Sequence, residues 1–168
     1  LINSGFSRPM QNFFNDTVSN WDKSMEVNTR GIFITCRAFG NKMAKQGKGS
    51  IINISSIYGI VAPDMSIYDG SDFETEPDYA FIKGGVISFS KYLSSYYSKH
   101  NVRVNCISPG GFFNNQPEPF LSKYIAKTPL GRMALHNDMK GVALFLASDA
   151  SSYITGSVIP VDAGWTAL

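Results

Sequence analysis

Short β-branched runs alternate with stretches of helical period along this chain, and that alternation leaves it few ways to fold. Ser50-Ile51-Ile52-Asn53-Ile54-Ser55 is bounded by Gly47, Gly49 and Gly59, and Val102-Arg103-Val104-Asn105-Cys106-Ile107 is stopped by Pro109-Gly110-Gly111. Val158-Ile159-Pro160-Val161 is a third run, demoted towards a sheet edge by Pro160, and Leu1-Ile2 reads as the tail of a fourth. Between them the period becomes helical. Ser19-Asn20-Trp21-Asp22 reads as a capping-box-like start for a helix to about Lys45, with Trp21, Met25, Ile32, Cys36, Phe39 and Met43 on one face and Asn28 among them. Pro77 opens a second helix, to about Ser98, with Ile82, Val86, Phe89, Leu93 and Tyr96 as its stripe. A third spans about Asp138 to Ser148. Strands alternating with helices imply βαβ crossovers and a parallel sheet covered on both faces.

A chain of 168 residues with 43% apolar content can bury about two-thirds of its unfolded surface, and no linker or repeat divides it, so residues 1–168 read as one domain. The formal net charge is only +2, with basic residues dispersed, which argues against a nucleic-acid or membrane partner. The longest uncharged run, Gly49 to Pro63, is too short to span a bilayer, and the opening Leu1-Ile2-Asn3 shows no signal peptide. Cys36 and Cys106 are far apart and read as free buried thiols in a reducing compartment, which points to the cytoplasm. His100 and His136 lack partners at ligand spacing, so no metal site is expected. A nucleotide-binding βαβ fold should also carry a glycine-rich turn after its first strand. No GxGxxG or GxxxGxG occurs here, so the N-terminal strands of such a fold are expected to be missing from this chain.

Four local features carry chemistry. Tyr79 and Lys83 lie one helical turn apart on the same face, so a phenol and an ammonium can address one small volume. A free tyrosine titrates near 10 and is a poor base at neutral pH, but a nearby cation and a helix N-terminus both favour the phenolate. Taken alone, YxxxK arises often by chance. Ser55-Ser56 ends a strand, where parallel sheets line their ligand crevice, although serines there are commonly turn formers. Asn28, an amide in an apolar stripe, must be hydrogen-bonded and so either braces backbone or organises water. Pro109-Gly110-Gly111 offers bare backbone to a flat ring.

In this order, Asn28, Ser56, Tyr79, Lys83, the Val102–Gly110 run and the late Ile154-Thr155-Gly156 and Val161-Asp162-Ala163-Gly164 resemble the classical short-chain dehydrogenase/reductase family, from its fourth strand to its C-terminus. The resemblance implies an α/β fold with a Rossmann-like doubly wound parallel sheet, NAD or NADP as cofactor, and hydride transfer between a hydroxyl and a carbonyl compound. It implies Tyr79 as acid/base, Lys83 binding the nicotinamide ribose and easing ionisation of the tyrosine, Ser56 holding the substrate oxygen and Asn28 supporting a water relay. Pro109 and Gly110 would line the nicotinamide pocket. Leu1-Ile2-Asn3-Ser4-Gly5 approximates the family's Asn-Asn-Ala-Gly motif and implies Asn3 as a cofactor contact.

Departures from the family are equally specific. Asn114 stands near where a cofactor-touching threonine is usual, and Ser56 to Tyr79 is a long 23 positions because the acidic segment Asp64 to Asp78 intervenes. Tyr68 has Asp72 four residues on, so the chemistry is assigned to Tyr79. The acidic segment, with Asp64, Asp69, Asp72, Glu74, Glu76 and Asp78, reads as a solvated loop beside Tyr79; it and the irregular Phe112 to Met133, with Asn114, Asn115, Gln116 and Glu118, are expected to flank the entrance of a small-molecule, sugar-like or cationic substrate. A narrower resemblance, to bacterial flagellin-modification and surface-sugar oxidoreductases, rests on Ser56-Ile57-Tyr58-Gly59-Ile60-Val61-Ala62-Pro63 with Gln116-Pro117-Glu118. The two long helices, with Gly31, Thr35, Ala38, Gly84 and Gly85 beside Phe33, Phe39, Phe81 and Tyr92, imply a homodimer or homotetramer. The rival reading is a non-catalytic, truncated subunit with a structural or partner-binding role, supported by the lack of a phosphate-binding turn.

Overall fold

The computed structural model describes residues 1–72 and 74–168. Four parallel strands, β1 (Ile2–Asn3), β2 (Gly49–Ile54), β3 (Val102–Pro109) and β4 (Val158–Val161), stand side by side in chain order. Helices α1 (Val18–Gln46) and α2 (Pro77–Tyr97) cross between the first three, and α4 (Lys140–Ala147) precedes the last; a short α3 (Phe120–Ala126) lies in the β3–α4 connection. Period-two alternation sorts β2 and β3 between the two sheet faces. Ile51, Val102 and Val104 pack with Cys36 of α1 and Leu93 and Tyr97 of α2, whereas Ile52 and Ile107 pack with Leu146 of α4. The sheet is therefore covered on both sides, as the doubly wound reading requires. Pro160 sits in the edge strand, where its missing N–H breaks no ladder bond beyond it. Cys36 and Cys106 are free and buried.

Two helix details differ from expectation. The cap of α1 is Thr17, whose hydroxyl accepts from Asn20 N at 3.2 Å, so Ser19–Asp22 fall inside the first turn rather than before it. The stripe of α2 turns through Tyr97, not Tyr96: Tyr97 is 3% exposed and Tyr96 55%. Gly40 of α1 decides this, because a Cβ there would stand 2.5 Å from the Tyr97 ring. Phe39, expected on the buried face of α1, is 48% exposed. Among the described residues no helix is long and apolar enough to cross a membrane.

Candidate active site

Two strand ends and one helix start converge at the carboxyl edge of the sheet. β2 hands the chain to Ser55 and Ser56, both buried. Ser55 Oγ donates to Lys83 O at 2.7 Å and ties the strand end to α2, while Ser56 Oγ accepts from Tyr58 N at 3.2 Å and caps the turn Ile57–Gly59. Only glycine fits at position 59, since a Cβ would stand 2.7 Å from Lys83 O. Pro77 at the first position of α2 fixes where the helix begins, and so places Tyr79 in its first turn and Lys83 one turn further in. β3 delivers Pro109, which is buried, and then Gly110 and Gly111. Gly111 N donates to the Tyr124 hydroxyl from α3.

These pieces enclose a cleft of about 380 Å³ whose lining includes Ser56, Tyr58, Tyr68, Tyr79, Gly110 and Tyr124, with Arg8 and Glu76 beside them. Of the residues picked from sequence, Ser56, Tyr79 and Gly110 share this space. Lys83 lies beneath it, 5% exposed, with Nζ donating to Ile54 O at 3.1 Å and standing 5.6 Å from the Tyr79 ring centre. Burial first, then the Arg8 charge, pushes the Lys83 ammonium down to about 8, against an opposing pull from Cys106.

Asn3 and Asn28 are not brought to the cleft. The Asn3 amide donates to Thr35 Oγ1 at 2.7 Å and also faces Cys36 Sγ, so it is spent on α1. Asn28 braces backbone: it accepts from Ser7 N at 2.7 Å, donates to Ser7 O at 2.8 Å and donates to Ser24 Oγ at 2.9 Å. Ser24 Oγ in turn donates to Asp78, which is buried rather than part of a solvated acidic face.

The cleft phenols are chemically unequal. The Tyr58 and Tyr68 hydroxyls lie 3.1 Å apart and hydrogen-bond to each other. Burial pushes Tyr58 far up and Tyr68 up, and pushes Tyr124 up to about 12, so these three stay protonated near neutrality. Tyr79 instead has two cations over its ring, Arg8 at 4.9 Å and Lys83 at 5.6 Å.

The two segments expected at the entrance are docked on each other. Lys123 of α3 donates to Ser66 O at 3.0 Å and Asp69 O at 2.8 Å, Lys127 pairs with Asp64, and Ile67 is fully buried with Phe120 and Tyr124. Of the polar residues named for substrate contact, Gln116, Glu74 and Glu76 line the cleft. Arg8 and Tyr124 escaped the sequence because no spacing links them to Tyr79; Arg8 reaches its partner Glu76 across 68 positions.

Comparison with known proteins agrees with this fold. A family model described as enoyl-(acyl carrier protein) reductase matches residues 1–166. A 3-oxoacyl-[acyl-carrier-protein] reductase of Chlamydia trachomatis is 40% identical over 149 residues, 86% of this chain and 56% of that protein. The post-translational flagellin modification protein A of Campylobacter coli is 33% identical over 143 residues, 85% of this chain and 56% of that protein. A crystal structure of a short-chain dehydrogenase from Leptospira borgpetersenii with bound NAD+ matches with a TM-score of 0.89 at 39% identity, over 98% of this chain and 63% of that one. The chain thus spans 56% of the length of these two curated relatives.

Proposed function

This chain belongs to the short-chain dehydrogenase/reductase family, and from that membership we propose that it carries the catalytic half of an NAD- or NADP-dependent oxidoreductase that interconverts a hydroxyl and a carbonyl group. The observation that carries the reading is the position of Tyr79 in the cleft, in the first turn of α2, beside Ser56 and under two cations. Tyr79 passes the proton to or from the substrate oxygen, and Ser56 steadies that oxygen as charge develops on it. A bound nicotinamide supplies or accepts the hydride. The residues present fit the nicotinamide-ribose end of such a cofactor. Lys83 Nζ has three donors and spends one, on Ile54 O, which leaves two for ribose hydroxyls. Gly110 lines the cleft with bare backbone, which a flat ring can approach closely, and a Cβ there would also crowd Asp162 and Tyr124 at 3.1–3.2 Å.

The cleft lining supports one substrate class over another. Tyr58, Tyr68 and Phe120 give flat walls, and Ser56, Glu74, Glu76 and Gln116 give hydrogen-bonding groups, a mixture that suits a polyhydroxylated, sugar-like substrate better than an acyl chain. The galactitol 2-dehydrogenase (L-tagatose-forming) of Cereibacter sphaeroides, 32% identical over 173 residues and 99% of this chain, supports the same direction. The test is a screen of nicotinamide absorbance with NADH and NADPH against keto sugars, sugar acids and a 3-oxoacyl thioester. Turnover of a sugar carbonyl exceeding that of the thioester is expected; thioester reduction alone would overturn the sugar reading.

The partner we propose is a second copy of this chain. Phe33, Phe81, Tyr92 and Tyr96 of α1 and α2 are 46–61% exposed, and Tyr92 stacks on Phe89 and Tyr96 at 6.2 and 5.9 Å to make one continuous aromatic face. Gly31 and Gly85 have nothing within 4 Å of an added Cβ, so packing within the chain does not require glycine there, whereas close approach of a second α1–α2 pair does. Light scattering at micromolar concentration should report a dimer or tetramer. Bulky Gly85→Trp should shift it towards monomer, and a wild-type monomer would contradict the proposal.

A further inference from the structure

We propose that Arg8 is a positioning residue for Tyr79, a guanidinium held over the phenol ring to favour its ionised, proton-accepting form. The inference rests on the reading of Tyr79 as the acid/base. Arg8, not Lys83, is the nearer cation, its guanidinium carbon 4.9 Å from the Tyr79 ring centre against 5.6 Å for Lys83 Nζ. Phe6 stands edge-on to Tyr79 at 5.1 Å and is shared by both cations, Lys83 at 4.9 Å and Arg8 at 5.6 Å, so charge brackets the aromatic pair. A cation over a ring face is attracted to it in either state, and the attraction grows when the ring oxygen becomes negative.

Arg8 does not hang free. Its Nη1 donates to both carboxylate oxygens of Glu76 at 2.7 and 2.8 Å, and Glu76 stands at the N-cap position of α2, just before Pro77. The backbone one residue earlier is gripped from both sides by the Asn28 amide, through Ser7 N and Ser7 O. The same α1 turn presents Ser24 to Asp78, directly before Tyr79. One polar cluster on α1 thus fixes both the strap that carries Arg8 and the helix start that carries Tyr79, which gives Asn28 a role on this side of the site. Burial works against the Arg8 charge, and the hydrogen bond and charge of Glu76, followed by Tyr79 and Asp78, outweigh it and hold the guanidinium above its ordinary value.

Among the described residues, the charged and titratable groups around Tyr79 are Arg8 from the β1–α1 strap, Glu76 just before α2, Lys83 and the chain neighbour Asp78 from α2, Tyr58 and Tyr68 from the β2–α2 segment and Tyr124 from α3. Only Arg8 among them is both cationic and in the cleft lining. The experiment reads ionisation rather than turnover. Tyrosinate ultraviolet absorbance of the full chain is followed through an alkaline titration, and the contribution of Tyr79 is isolated by subtracting the curve of Tyr79→Phe in the same background. In Arg8→Gln the isolated midpoint should rise by about half a unit to one unit, the modest size reflecting the neutralising Glu76 and a side chain 57% exposed. Arg8→Lys, which keeps the charge, should recover most of the shift. An unmoved midpoint in Arg8→Gln, or an Arg8→Lys shifted just as far, overturns the proposal. Because no substrate is involved, that outcome is distinct from failure of the acid/base reading, which an active Tyr79→Phe enzyme would show.

Discussion

Tyr79→Phe is expected to lower turnover by at least about a hundredfold, within the range that positioned general acid–base groups supply, while leaving the fold and nicotinamide binding intact. The change removes one oxygen and keeps the ring, and the ring makes the packing contacts. It stands edge-on to Phe6 at 5.1 Å and to Tyr58 at 6.4 Å, with Arg8 over its face. Melting temperature should therefore move little. No neighbour can take over the proton. Tyr58 and Tyr68 hold each other's hydroxyls and are pushed towards the neutral form by burial, and Tyr124 carries the Gly111 amide. Ser56 lines the same cleft, but a serine hydroxyl without a base is a far weaker acid than a phenol, and its Oγ already accepts from Tyr58 N. Steady-state rates with a responsive carbonyl substrate, alongside thermal melts of both proteins, check the expectation; near-wild-type turnover would remove Tyr79 from the mechanism.

What could be read from the sequence, and what could not, divides by range. β2 and β3 announce themselves because each is a β-branched run stopped by glycine or proline, and α2 begins where Pro77 says it must. Tyr79, Ser56 and Gly110 are found by the same local logic: each sits at the end of an element whose end is marked, and in a parallel sheet those ends gather at one edge. Failures occur where a distant residue decides. Whether Tyr96 or Tyr97 turns inwards is settled by Gly40 on another helix. Asn28 was legible as an amide that braces backbone or organises water, but the backbone its side chain holds, at Ser7, lies 21 positions away and only the fold reveals it. The acidic segment reads as solvated from its charge, yet Ile67 anchors it and Asp78 is buried against Ser24, contacts that composition cannot express.

Lys83→Met separates a catalytic lysine from a structural one, because activity and stability should move in opposite directions. Lys83 is 5% exposed, and its folded value of about 8 lies below its ordinary 10.5. Folding therefore favours the neutral amine. Between pH 10.5 and about 8 the unfolded chain binds a proton that the folded chain does not, so stability falls as pH falls through that window and levels off below it. At neutral pH the fold thus carries the cost of a charged, desolvated ammonium, offset in part by one hydrogen bond to Ile54 O. An unbranched apolar side chain of similar length removes the cost and the bond together, for a net gain of roughly 1–2 kcal/mol at pH 7 and a flatter stability profile between about pH 8 and 10.5. Activity should go the other way. Methionine offers no donor to a ribose hydroxyl and no cation over the Tyr79 ring, so turnover should drop on the order of a hundredfold, with weaker nicotinamide binding. Denaturant melts at pH 7 and pH 10, paired with nicotinamide titrations, give both readings. If stability and activity fall together, the lysine is there to hold β2 against α2; if the protein gains stability as it loses rate, the buried charge is kept for chemistry, at the expense of the fold.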